Sequence, residues 1–126
     1  MTQPPTPRVA FFTDSYAEAN GVARLSRALE HYAAAHNAPL LCVYGGASSS
    51  LAVHGSVTLC ELQRSRASVR LESDLTFDPL FWRHYRRAAR AVHAFAPDVI
   101  HITGPRDVGQ LGALLGHRLS IPMVGS

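Results

Sequence analysis

The chain has 126 residues, 47% of them hydrophobic and 17% charged, with a mean hydropathy of +0.02, which describes one globular domain able to bury a real core. No apolar run reaches the roughly 18 residues that a membrane-spanning helix needs, and the opening MTQPPTPR lacks the apolar stretch of a secretory signal. The net charge of +3 is carried by arginine alone, and the two cysteines, Cys42 and Cys60, lie inside apolar runs and read as buried reduced thiols of a cytosolic protein.

Residues 1–7, rich in proline, read as a flexible leader ahead of a domain over 8–126. RVAFFT (8–13) is a short apolar run that predicts a buried strand. From Gly21, Val22, Leu25, Leu29 and Tyr32 recur at three- and four-residue steps and predict one face of a helix, ended by Asn37 and Pro39. PLLCVY (39–44) predicts a second strand, stopped by Gly45-Gly46. GASSSLAVHG reads as a loop of small residues, and SVTLCEL (56–62) as a third strand. QRSRASVRLESDLT (63–76) has no clean period and reads as a loop. Asp78-Pro79 fits the start of a helix over 78–95. That helix carries a stripe of Phe77, Phe81, Tyr85, Ala88, Val92 and Phe95 opposite Arg83, Arg86, Arg87 and Arg90. DVIHIT (98–103) predicts a fourth strand, 107–119 a third helix capped by Asp107, and 121–125 the start of a fifth strand. Strands alternating with helices predict a doubly wound, mostly parallel α/β sheet, Rossmann-like, with the first strand central. The connection between the second and third strands holds no helix, so their mutual direction stays open.

In such a sheet ligands bind beyond the carboxyl ends of the strands. Two loops there are polar and contain glycine. One runs from Thr13, Asp14, Ser15 and Tyr16 to Asn20-Gly21; the other is Thr103, Gly104, Pro105, Arg106 and Asp107. Gly21 opens a helix, whose free N–H groups and positive end suit a phosphate; equally, Asn20-Gly21 is a turn with Asn20 as cap. No GxGxxG and no GK[ST] is present. Asp14 either accepts a hydrogen bond from a sugar hydroxyl or caps its own loop. His101, alternating within VIHIT, reads as a core histidine. Gly109, Gly112 and Gly116 share one helical face and read as close packing. The seven histidines form no HExxH-like pair, and no metal site is expected. Seven arginines between Arg64 and Arg90 face only Glu72, Asp74 and Asp78, so this stretch suits an anionic partner. The arginine helix with Trp82 has two readings: a covering helix with a solvated outer face, preferred because of its apolar stripe, or a helix lying on an anionic membrane.

RVAFFTDSYAEANGVARLSRALE resembles the opening of the family-four retaining glycosyltransferases of the GT-B fold, in which a first strand and an NGV or GG turn lead into the first helix. FDPLFWRHYRRAARAVHAFAPDVIHITGPRDVGQLGALLGHRLSIPMVGS is similar to the middle of their N-terminal domain. The resemblance implies a hexosyltransferase of carbohydrate or glycolipid biosynthesis that moves a sugar from a nucleotide-sugar donor to a sugar or lipid-linked acceptor, with retention and with no metal or other cofactor. It implies that Asn20 and Gly21 approach the donor phosphates, and that Asp14, Ser15, Tyr16, Thr103, Gly104 and Asp107 line the acceptor side of the cleft. The family's His-Thr pair would begin where this sequence stops, at Ser126. The expectation is therefore an N-terminal, acceptor-side domain, truncated, with its C-terminal domain and paired glutamates missing, its catalytic residues unknown, and no activity alone. The expected location is the cytoplasm, with peripheral membrane association through the arginine helix; nucleic acid is not an expected partner. The alternative is a stand-alone flavodoxin-like domain that binds a phosphate-bearing ligand.

Overall fold

In a computed structural model of the chain, the described residues are 6–13, 21–46, 48–63, 69–72, 75–77, 81–104 and 107–125, with side chains left out at 21–26, 69–72, 75–77 and 81. Strands β1 (Val9–Thr13), β2 (Leu40–Gly46), β3 (Ser50–His54), β4 (Val57–Gln63), β7 (Val99–Thr103) and β8 (Met123–Gly125) form one sheet in the order β3-β4-β2-β1-β7-β8. Every neighbouring pair is parallel except β3–β4. A separate two-stranded hairpin is made by β5 (Val69–Glu72) and β6 (Leu75–Phe77). The helices are α1 (Gly21–Ala35), α2 (Tyr85–Phe95) and α3 (Asp107–Leu119), with a 3₁₀ turn at Phe81–His84 leading into α2. The molecule is thus α/β, with a six-stranded, mostly parallel mixed sheet and an interior first strand. None of its helices among the described residues is long and apolar enough to cross a membrane.

Both faces of the sheet are covered, which explains why β1 reads as an unbroken apolar run. The pleat sends Ala10 and Phe12 to one side, where they pack with Leu41, Val43, Cys60, Leu62 and Ile100 under Ala88, Val92 and Phe95 of α2 and Val108, Leu111 and Leu115 of α3. Phe11 goes to the other side, with Cys42, Tyr44 and Val57 under Leu29 and Ala33 of α1. Each fully buried Val, Leu, Ile or Phe among them contributes about 1.5–3 kcal/mol. The glycine face of α3 sets its height over β1, β7 and β8. A Cβ on Gly112 would lie 2.7 Å from Phe12 Cγ, and one on Gly116 would lie 2.5 Å from Met123 Sδ.

Arg8 ties the amino ends of β1 and β7 to the end of α2. Its N–H donates to Asp98 Oδ2 at 2.8 Å, and its carbonyl accepts from Asp98 N–H at 2.7 Å. Its Nε–H donates to Phe95 O at 2.9 Å while the guanidinium lies 4.3 Å above the Phe95 ring. The contact supplies a cation at a helix C-terminus, where freed carbonyls gather.

Several sequence expectations are corrected here. GASSSLAVHG is not only a loop: Ser50–His54 is an edge strand, antiparallel to β4, and through it β2 and β4 come to lie parallel without a helix. Residues 63–76 are not one loop, since β4 extends to Gln63 and the β5–β6 hairpin occupies much of the rest. α2 begins at Tyr85, with His84 at its N-cap making no side-chain capping bond; Asp78 and Pro79 lie outside the described residues. On α1 the inward residue is Ala33, whereas Tyr32 is 60% exposed and stacks on His36 at 4.0 Å. The fifth strand of the expectation covers only Met123–Gly125. Its apolar stripe on α2 holds where described: Ala88, Val92 and Phe95 are buried, and Arg86, Arg87 and Arg90 are exposed.

Candidate functional site

The order of the sheet reverses between β1 and β7. The chain leaves β1 through α1 on one face and leaves β7 through α3 on the other. Both helices therefore start at the carboxyl edge of the sheet, one on each side of a crevice. Thr13 and Thr103 close the two strands and stand opposite each other in register. By the pleat, both side chains fall on the α1 face, as does His101, whose ring meets Phe11 edge-on at 5.0 Å. His101 is accordingly a packed histidine.

Thr13 is fully buried and Thr103 is 7% exposed. Among the described residues, Thr103 Oγ1 is a buried side-chain polar atom with no hydrogen-bond partner. Such a group costs about 1–3 kcal/mol. Gly104 follows at φ +87, a left-handed turn that favours glycine. A Cβ on Gly109 would collide with the Gly104 carbonyl oxygen and lie 3.1 Å from Ile102 Cγ2, so the first turn of α3 sits directly on this bend. Asp107, buried, opens α3, and its Oδ1 accepts the Val108 N–H at 2.8 Å. A carboxylate at the positive end of a helix is stabilised there.

Of the sequence-predicted residues, Thr103 and Gly104 lie at the carboxyl end of β7 and Asp107 at the start of α3 just beyond it, and Gly21 marks the start of α1 as expected. Asp14, Ser15, Tyr16 and Asn20 lie outside the described residues. Sequence reasoning missed a polar cluster farther along the same edge. Glu61 accepts from the Ser48 N–H at 2.8 Å, the Ser48 hydroxyl at 3.1 Å and the Tyr44 hydroxyl at 3.4 Å. Burial, then the Glu61 carboxylate beside it, pushes the Tyr44 phenol up to about 12. The signal was there in principle: Tyr44 and Glu61 are partners in the β2–β4 register, which only the parallel pairing reveals. With both oxygens engaged, one by Tyr44 and one by Ser48, Glu61 works as a latch on Ser48. Among the described residues no group of His, Cys, Asp and Glu is placed to hold a metal ion. No protein-family model matches this chain, and no curated protein matches it at a significant level.

Proposed function

We propose that this chain is the N-terminal, acceptor-side domain of a retaining glycosyltransferase, a Rossmann-like half of a GT-B fold. The five parallel strands in the order β4-β2-β1-β7-β8 support the Rossmann-like reading, because their reversal point is where such sheets bind nucleotides and their sugars. In this reading the acceptor, a sugar or lipid-linked sugar, lies over Thr13, Thr103, Gly104 and Asp107. The diphosphate of a nucleotide-sugar donor approaches the α1 N-terminus at Gly21, where free N–H groups and the helix dipole favour an anion.

The observation that carries the proposal is the buried, unpartnered Thr103 hydroxyl at the carboxyl end of β7, with the buried Asp107 carboxylate at the start of α3 on the same edge of the sheet. A hydroxyl that donates and accepts, and a carboxylate that only accepts, at one edge of the sheet suit the hydroxyls of a sugar. The same carboxylate opposes an anion at α3, which disfavours a ligand held there by phosphate alone. The test is a titration of the isotope-labelled chain with a panel of methyl glycosides and nucleoside-diphosphate sugars, followed by amide shifts. Sugars should move the amides of 103–104 and 107–108, and Asp107→Asn should weaken that response roughly tenfold, the value of one charge-assisted hydrogen bond. Shifts that map elsewhere, or no response across the panel, would reject the reading.

A further inference from the structure

We propose that the free edge of β3 is a docking strand for an extended acidic peptide segment of a partner protein. This inference is independent of the glycosyltransferase reading. Among the described residues β3 ends the sheet, so its outer backbone groups have no neighbouring strand there. Its register with β4 pairs Leu51 with Cys60 and Val53 with Thr58, which places Leu51 and Val53 on the face that α2 covers. Yet α2 stops short of them. Leu51 is 62% exposed and Val53 is 67% exposed, two apolar side chains in line on an open edge. Natural edges of this kind are blunted by charge, proline or cover. β3 carries no Asp, Glu, Lys or Arg, and its His54 lies on the opposite face.

Between this edge and α2 lies a pocket of about 430 Å³, lined by Leu51, Cys60, Arg87, Arg90, Ala91 and Ala94. The two arginines sit one helical turn apart, both exposed, with no carboxylate among the lining residues. Their charge selects the occupant. A second copy paired edge to edge would bring its own Arg87 and Arg90 against this pair, like charge against like. A strand that alternates apolar residues over Leu51 and Val53, and ends in carboxylates at the pocket, satisfies the backbone, the apolar strip and the guanidinium pair together.

The probe is a blocked eight-residue peptide of alternating threonine and valine whose last two valines are replaced by glutamate, labelled for fluorescence anisotropy. Its controls are the same peptide with lysine for glutamate and a scrambled order. Saturable binding of the acidic peptide, with slowed amide exchange across 50–54, is expected. The doubly charge-reversed R87E/R90E chain should bind about five- to tenfold more weakly, the scale of two exposed ion pairs, with an unchanged melting temperature. Leu51→Lys should abolish binding. Equal binding of the lysine or scrambled peptide would overturn the proposal, as would affinity untouched by charge reversal. Concentration-dependent dimerisation of the chain that Leu51→Lys removes would overturn it in favour of a second copy.

Discussion

Thr103 carries an unpaired buried hydroxyl at the carboxyl end of β7, and valine has nearly its shape. Thr103→Val should therefore keep or raise stability, by up to about 1 kcal/mol in chemical denaturation, while weakening any sugar response at 103–108. A loss of stability instead would mean that the hydroxyl is satisfied in the folded chain. The thiols make a second residue-scale prediction. Burial, with the Glu30 carboxylate adding to it, pushes Cys42 up to about 12; burial pushes Cys60 up to about 11 against the opposing pull of the Arg87 guanidinium. An unfolded thiol titrates near 9.0, so above that pH the unfolded chain has lost protons that the folded chain keeps. Stability is complete below pH 9 and falls as pH rises toward the folded values, by up to about 1.4 kcal/mol per pH unit for each thiol. Tyr44, raised from 10.0 to about 12, steepens the same limb above pH 10. Denaturation midpoints of Cys42→Ala measured from pH 8 to 11 should fall less steeply than those of the parent; an identical slope would refute the assignment.

At the scale of the element, α3 is held by absence of side chain. Gly112→Val would drive a branched group into Phe12 and should cost about 1–3 kcal/mol, read as a lowered denaturation midpoint without loss of secondary structure. Wild-type stability in that variant would show that α3 rides higher over β1 than the 2.7 Å approach requires. This element was legible before the structure: Asp107 opens it, Leu119 ends it, and the three-and-four glycine spacing marked the packed face. β1 was equally legible, because a strand buried on both faces carries an unbroken apolar run, and β7 showed as an apolar run interrupted only by His101. The missed elements share a different physics. β3 is exposed along most of its length, so its alternation of Leu51 and Val53 is short and looks like loop. The β5–β6 hairpin alternates charged and apolar residues with no Asn-Gly or Asp-Gly turn to announce it. The start of α2 depends on a 3₁₀ turn whose Arg83 and His84 both donate to Gln63 O, a tertiary contact no local pattern encodes. On α1, the choice between Tyr32 and Ala33 turns on how closely the helix approaches the sheet at Tyr44 and Leu40; the smaller residue fits. As for the site, its position at the strand ends followed from the alternation of elements, but the orphaned Thr103 hydroxyl and the Glu61 latch emerge only from register and burial.

For the whole molecule, the sheet order sets the carboxyl ends of β1 and β7 side by side, where α1 and α3 leave on opposite faces. Transfer between two bound substrates draws roughly 7–11 kcal/mol from holding them in reacting geometry. In the proposed reading donor and acceptor are held by two different domains, so the 126-residue chain should bind acceptor-like sugars yet give no glycosyl transfer with any nucleotide sugar. Product formed by the purified chain, followed by chromatography with labelled donor, would contradict the proposed division of labour. The two open features of the sheet also differ in kind: the crevice is polar and lies at the strand ends, whereas the β3 edge is apolar and lies along a strand.

Cys42 and Cys60 sit on adjacent strands but on opposite faces, Cys42 beneath α1 and Cys60 beneath α2. They cannot bridge without tearing the sheet, and each is a free, buried thiol under its own layer. The molecule thus holds one built-in clock for each layer. In single-cysteine variants, the rate at which a neutral thiol reagent marks Cys42 counts the openings of the α1 side, and the rate at Cys60 counts those of the α2 side. If the two layers melt as one, the clocks keep the same time at every denaturant concentration; if α1 lifts alone, only the first runs fast.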